Sequence, residues 1–270
     1  MKPLELKFDA DKGLDDGRPV LVLLHGFTQN ARTWDVVRDG LRRIGPTVAL
    51  DLVGHGDSPK PEEVAPYRIP ACLEHLERVL ERLNLKNVWL VGYSMGGRVS
   101  LQYALHKPER VQGMVLVSTT AGLTDPQARQ ERVKSDEALA SRIPGWGIDG
   151  FLDYWFELDL FAGFKRLPSS RQRELRRERS NNSPIGLANS LRGMGAGAMP
   201  PVWPYLRDME IPTLVIAGEL DEKFALLARS LAAALPEADL SVVPDIGHAV
   251  HLEAPQRFIN TLVDYFSRQR

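Results

Sequence analysis

At 270 residues and 43% hydrophobic content, the chain can bury one large core, and folds mixing strands and helices often hold this length in one domain. Lys plus Arg total 34 against 35 for Asp plus Glu, and a net charge of -1 gives no electrostatic reason to expect nucleic acid or an acidic membrane as partner. The single cysteine, Cys72, excludes an intrachain disulfide, and its neighbours put it on a helix face. No signal-peptide apolar region opens the sequence and no run reaches the length of a membrane span, so a cytoplasmic protein without membrane insertion is expected.

In chain order, Val20 to Leu24 is an apolar run of the kind a strand buried on both faces produces. It ends in His25-Gly26-Phe27-Thr28, a loop at the carboxyl end of a strand, where an open parallel sheet places its ligand contacts. His25 reads as a loop hydrogen-bonder and Trp34 as packing for the helix that follows. A second strand, Thr47 to Leu50, leads into the glycine-rich loop Asp51 to Ser58, with His55 again structural. From Ile69 to Leu83, Leu73, Leu76, Val79, Leu80 and Leu83 recur at helical spacing and predict a helix covering one face of the sheet.

Next, Val88 to Val91 runs into Gly92-Tyr93-Ser94-Met95-Gly96, read as strand, sharp turn and helix. Small residues on either side let a serine sit in a strained turn with its hydroxyl exposed above the sheet. Gly-x-Ser-x-Gly alone is a weak signal, and the rest of the chain must supply what the serine needs. A hydroxyl is a poor nucleophile or base near neutral pH, so it requires a histidine to take its proton and an acid to orient that histidine. With the order serine, acid, histidine, only His248 and His251 lie late enough. His248 follows a short apolar strand and sits in a loop, whereas His251 enters a helix, so His248 is favoured. Asp221, in the loop after the strand Thr213 to Ala217, is the chosen acid, with Glu219 and Asp245 read as capping or solvated loop residues. The N–H groups of Phe27 and Met95 are placed to form an oxyanion hole.

Val111 to Ser118 gives a further strand, and the alternation of strands and helices to this point predicts a parallel sheet with right-handed crossovers. The rhythm then breaks. Residues 120–207 show only helical pattern and read as an inserted lid between two parts of the core, 1–119 and 208–270. The lid carries Arg129, Arg132, Arg142, Trp146, Tyr154, Trp155 and the cationic run Arg171 to Arg179, read mainly as a solvated helix face from which one or two arginines turn inward to grip carboxylates. Strands at Thr213 to Ala217 and Leu240 to Val243 and an amphipathic helix from Pro255 to Ser267 complete the sheet. No metal or organic cofactor is expected, because no ligand cluster or phosphate-binding glycine motif accompanies these residues.

Leu24-His25-Gly26-Phe27, Asp51-Leu52-x-Gly54-His55-Gly56-x-Ser58, Gly92-Tyr93-Ser94-Met95-Gly96-Gly97, Gly218-Glu219-x-Asp221 and Gly247-His248, in this order, resemble the α/β-hydrolase fold over nearly the whole chain. The resemblance implies a mostly parallel central sheet flanked by helices with an inserted helical lid. The fold does not fix the reaction. Serine at the elbow argues against the haloalkane dehalogenases and epoxide hydrolases, which use aspartate there. Narrower features, Gly92 to Arg98, Glu131 to Asp136, Asp153 to Phe161, Arg179-Ser180-Asn181-Asn182 and Leu187 to Gly195, resemble the menaquinone-pathway 2-succinyl-6-hydroxy-2,4-cyclohexadiene-1-carboxylate (SHCHC) synthases. That family is a lyase family that eliminates pyruvate from an enolpyruvyl-bearing cyclohexene with three carboxylates.

By this resemblance Arg98, Arg132 and Arg179 bind the carboxylates, Arg129 being close enough to stand in for Arg132, while Tyr93 and Trp155 line the pocket. Ser94, with His248 and Asp221 behind it, acts as a base. The implied partner is a small polycarboxylate, and a monomer or weak homo-oligomer is expected. Rival readings on the same triad are a serine carboxylesterase and a C–C bond hydrolase, and, outside enzymes, a ligand receptor on this fold.

Overall fold

The computed structural model describes residues 3–269. Seven strands, β1 (Phe8–Ala10), β2 (Leu21–Leu24), β3 (Thr47–Leu50), β4 (Val88–Tyr93), β5 (Val111–Val117), β6 (Thr213–Gly218) and β7 (Ala238–Val243), form one sheet in the order β1-β3-β2-β4-β5-β6-β7. β1 is antiparallel to β3 and every other pairing is parallel. The helices are α1 (Asp35–Leu41), α2 (Ile69–Arg82), α3 (Met95–His106), α4 (Pro126–Glu157), α5 (Ala162–Lys165), α6 (Ser169–Ser180), α7 (Pro184–Met194), α8 (Glu222–Ala234), α9 (Val250–Glu253) and α10 (Pro255–Arg268).

The apolar runs become strands because both of their faces are covered. Val22, Leu24, Leu90 and Leu116 pack in one cluster with Leu76 of α2 and Val99 of α3, while Leu21, Leu23, Val91 and Val115 pack in another with Val37 of α1 and Phe258 of α10. Each buried branched side chain stabilises the fold by roughly 1.5–3 kcal/mol relative to exposure. Cys72 lies buried on α2, as its neighbours imply. Among the described residues no helix is long and apolar enough to cross a membrane.

Between β5 and β6 every regular element is a helix. α4 is interrupted at Gly147, whose φ of 67° and ψ of 178° are non-helical, three residues after Pro144 has removed a helix donor. Ile143, Phe151, Leu152 and Phe156 of α4 pack with Leu187 and Leu191 of α7 in a cluster separate from the two that cover the sheet. The helical segment between β5 and β6, the lid expected from the sequence, therefore has an apolar cluster of its own.

Register brings the functional loops together. Leu24 of β2 pairs with Gly92 of β4, Tyr93 of β4 with Val117 of β5, and Gly218 of β6 with Val243 of β7, so these strands end side by side. Backbone strain gathers along that edge. Thr28, Ser94, Ser118 and Asp245, all at positive φ, follow the carboxyl ends of β2, β4, β5 and β7.

Candidate active site

Ser94 occupies the turn between β4 and α3 at φ 49° and ψ -102°, a conformation an L-residue adopts only when its surroundings impose it. The surroundings here are contacts too close for a side chain. A Cβ on Gly96 would stand 2.0 Å from the Leu24 carbonyl oxygen, and one on Gly92 would meet Ser100 Oγ at 2.5 Å. The glycines on either side of the serine thus let strand and helix approach closely enough to hold the elbow.

The loop after β6 presents Asp221, which caps α8 by accepting the Phe224 N–H at 3.3 Å. The loop after β7 presents His248, which is 2% exposed. Its Nδ1 lies 2.5 Å from Asp221 Oδ2 and its Nε2 lies 3.2 Å from Ser94 Oγ. An ionised carboxylate only accepts hydrogen bonds, so Nδ1 carries the proton and Nε2 is free to accept from the serine hydroxyl. Glu219 instead accepts the Asp245 N–H at 3.2 Å, the capping role anticipated for that pair.

Met95 opens α3, and Phe27 sits in the loop after β2 alongside it. Among the described residues neither N–H donates to another group. The other candidate bases are engaged or sealed. His25 uses both ring nitrogens, donating from Nδ1 to the Gly26 carbonyl at 2.8 Å and accepting the Leu52 N–H at Nε2, 3.0 Å away. His55 is enclosed with its Nδ1 on the Val53 carbonyl, and burial holds its pKa well below the usual histidine value. His251 packs between Trp34 and Tyr93 at ring distances of 4.6 and 4.5 Å, and burial, then the nearby charge of Arg179, pushes it down to about 3.

Arg98 lies one turn into α3, its N–H donating to the Ser94 carbonyl at 3.2 Å. Among the described residues its guanidinium reaches only the Met194 carbonyl at 2.9 Å and Met199 Sδ at 3.1 Å, and burial lowers its pKa to about 10. Arg132 donates to Asp136 at 2.8 Å, and both lie near enough to Arg98 to act on it electrostatically. Asp136 is 6% exposed with Oδ2 unpartnered among the described residues, and burial raises its pKa. Arg129 turns instead to the Gly197 carbonyl at 3.4 Å, leaving Arg132 as the arginine beside Arg98.

Of the cationic run in α6, Arg179 alone is buried, at 4% exposure, stacked 4.8 Å from the Phe156 ring centre. Among the described residues its guanidinium makes no hydrogen bond or ion pair, and desolvation lowers its pKa to about 10. Tyr93, beside Ser94, is close enough to Arg179 for each to act on the other electrostatically. Trp155 packs edge-on against Phe27 at 5.1 Å with its indole N–H unpartnered among the described residues.

Residues not anticipated also border the site. Phe224 and Phe161 approach the His248 ring at 4.5 and 6.2 Å. Asn182 binds the lid to two core loops by donating to the Thr28 carbonyl at 2.6 Å and accepting the Gly56 N–H at 3.0 Å.

A serine on a strained strand-to-helix turn, reached by a histidine and an aspartate from the last two strand ends, defines a hydrolase-type site on a doubly covered parallel sheet. In keeping with this, the profile of the alpha/beta hydrolase fold family matches residues 19–255. The chain is 37% identical to a protein of Bacillus subtilis (strain 168), provisionally named 2-succinyl-6-hydroxy-2,4-cyclohexadiene-1-carboxylate synthase, over 92% of this chain and 90% of that one. It is 33% identical to the synthase of the same name from Serratia proteamaculans (strain 568), over 95% of this chain and 97% of that one. The solved structure of MenH from S. aureus superposes with a TM-score of 0.91 at 31% identity, covering 98% of each chain. The chain therefore belongs to the α/β-hydrolase family and, within it, to the SHCHC synthases.

Proposed function

We propose that this protein is a lyase of menaquinone biosynthesis that eliminates pyruvate from 2-succinyl-5-enolpyruvyl-6-hydroxy-3-cyclohexene-1-carboxylate to give SHCHC. The observation that carries the assignment is Arg179, a guanidinium enclosed beside the serine elbow with no ion pair or hydrogen bond to an anion among the described residues. A buried, unpaired charge is costly, and a site retains one where a ligand supplies the counter-charge. Arg98 and Arg132 add two cations against the single carboxylate of Asp136, which leaves the site electropositive toward a substrate with three carboxylates. A carboxylate held bidentately by guanidinium is also fixed in orientation.

In the proposed mechanism Ser94, polarised by His248 with Asp221 fixing the imidazole tautomer, removes the proton from the ring carbon that bears the succinyl ketone. The electron pair shifts through the ring double bond, the bond from the ring to the enolpyruvyl oxygen breaks, and the departing enolate takes a proton at carbon to become pyruvate. Negative charge on the succinyl ketone oxygen is met by the N–H groups of Phe27 and Met95, each worth on the order of 3 kcal/mol when preorganised. No water takes part. A lid spanning residues 120–207, with Tyr93 and Trp155 lining the pocket, then serves to exclude water. A cytoplasmic location, a small polycarboxylate as substrate and a monomer or weak homo-oligomer belong to the same proposal.

The test compares the enolpyruvyl-cyclohexene substrate with short p-nitrophenyl esters on the same preparation. Efficient elimination with weak ester turnover is expected. Fast ester hydrolysis without elimination would favour a carboxylesterase built on the same triad.

A further inference from the structure

His248 is carried by the loop 244–249 between β7 and α9, whose ends are held by the Leu220 N–H donating to the Ile246 carbonyl at 2.9 Å and by the Ala249 carbonyl accepting N–H groups of α9. The N–H groups on either side of His248 turn to one carboxylate. The 3.2 Å approach of His248 to Ser94 therefore depends on whatever holds that loop. Glu253, the last residue of α9, folds its carboxylate back over the loop. Oε2 accepts the Gly247 N–H at 2.9 Å and Oε1 accepts the Ala249 N–H at 3.0 Å, so both residues flanking His248 are tied to one side chain. The carboxylate is 7% exposed and takes its third bond from the lid, where Arg166 donates to Oε2 at 3.2 Å. The lid also presses on it directly. A Cβ at Gly163 of α5 would fall 2.1 Å from Oε2, so only glycine permits that contact.

We infer that Glu253 is a positioning residue that sets His248 against Ser94, and that Arg166 and Gly163 of the lid latch onto it so that a docked lid and a correctly placed histidine occur together. The inference rests on Ser94 and His248 acting as a pair. Asp221 fixes the ring's tautomer and tilt, whereas the Glu253 clamp fixes the backbone from which the ring hangs. An ångström-scale displacement of a catalytic group is enough to lower a rate by about 100-fold. The exposed side of the latch is Arg166, half open to solvent, whose bond to Glu253 exists only while the lid lies on the loop.

The test uses Glu253→Gln, Arg166→Ala and Arg166→Lys in the full-length protein, with two readouts. The first is elimination, separated into kcat and KM. The second is the rate at which a small fluorophosphonate labels Ser94, the serine oxygen displacing fluoride from phosphorus, which reports the Ser94–His248 pair without any substrate. Glutamine keeps one acceptor oxygen, so its amide NH2 must face a donor, either the Ala249 N–H or the Gly247 N–H together with Arg166. It is expected to lower kcat and the labelling rate together by about 10- to 100-fold while KM changes less than about threefold. Arg166→Ala is expected to lower kcat several-fold with an unchanged melting temperature, and Arg166→Lys to recover most of it.

Unchanged kcat and labelling in both Glu253→Gln and Arg166→Ala would overturn the inference, as would a loss expressed only in KM. If Glu253→Gln does not fold, Arg166→Ala decides alone, a fall in kcat at constant melting temperature supporting the latch and an unchanged kcat refuting it. Labelling that depends on Glu253 in a protein without synthase turnover would leave the latch standing and remove the substrate assignment instead.

Discussion

Replacing Arg179 by Met separates the work of a ligand-binding cation from that of a structural one. The thioether chain keeps an apolar contact with Phe156 and removes the charge and its N–H donors. If the guanidinium waits for a substrate carboxylate, losing it weakens transition-state stabilisation by about 2–4 kcal/mol, the range for truncating one partner of a buried charge pair. That corresponds to a fall in kcat/KM of roughly 30- to 1000-fold. The free protein responds in the opposite direction. Burial lowers the guanidinium to about 10, and the nearby Glu178 offsets only part of its lost hydration. Methionine should therefore stabilise the fold by about 1–3 kcal/mol, raising the melting temperature by several degrees for a chain of this size. Steady-state kinetics and a thermal melt on the same sample read both effects. A lower melting temperature with kcat/KM within twofold of wild type would mean that Arg179 is paired inside the fold, and the anion-site argument would fail.

Asp221→Asn leaves the shape of the site intact but lets the imidazole take the wrong tautomer, so kcat should fall by about 10³- to 10⁴-fold with little change in stability, checked by kinetics and a urea melt. Stability should also fall in acid. His25, His55 and His251 are fully enclosed with pKa values lowered chiefly by burial, so below about pH 6.5 the unfolded chain binds protons that the folded chain refuses. Each histidine then adds a slope approaching about 1.4 kcal/mol per pH unit, stability being complete above the unfolded value and lost as pH falls beneath it. His251→Phe should flatten the decline between pH 6 and 5, and a urea midpoint independent of pH over that interval would contradict the enclosure of these rings.

Much of the fold is legible in the sequence because a strand buried on both faces must be a continuous apolar run, and β2, residues 48–50 of β3, residues 88–91 of β4 and residues 114–117 of β5 are such runs. β1 is not. Phe8-Asp9-Ala10 has no pattern of its own and becomes a strand only because its backbone pairs with β3. The elbow and the loops bearing Asp221 and His248 are legible through chemical need and order. The break in α4 at Gly147 carries a signal in Pro144-Gly145-Trp146-Gly147 that a reading of helical periodicity alone passes over.

The inward arginine of α6 carries a readable signal. Leu175 is the one large aliphatic residue of that helix, and Arg179 lies four residues on, hence on the same face. Arg132 and Asp136 share the same spacing, which explains their bond but not that Asp136 is buried within electrostatic reach of Arg98. Glu253 has no such signal. Its partners are backbone N–H groups and an arginine 87 positions away, so in sequence it looks like any solvated helix-end glutamate.

The most direct measurement follows pyruvate release and the ultraviolet absorbance of the conjugated diene together when the protein meets the enolpyruvyl-cyclohexene substrate, in wild type and in Ser94→Ala. The account predicts that both products appear in equal amounts, far above the spontaneous elimination, and that the alanine variant loses several orders of magnitude in rate while still binding substrate. Near-normal turnover in Ser94→Ala would remove the serine from the mechanism, and neither product rising above background in wild type would contradict the lyase assignment itself.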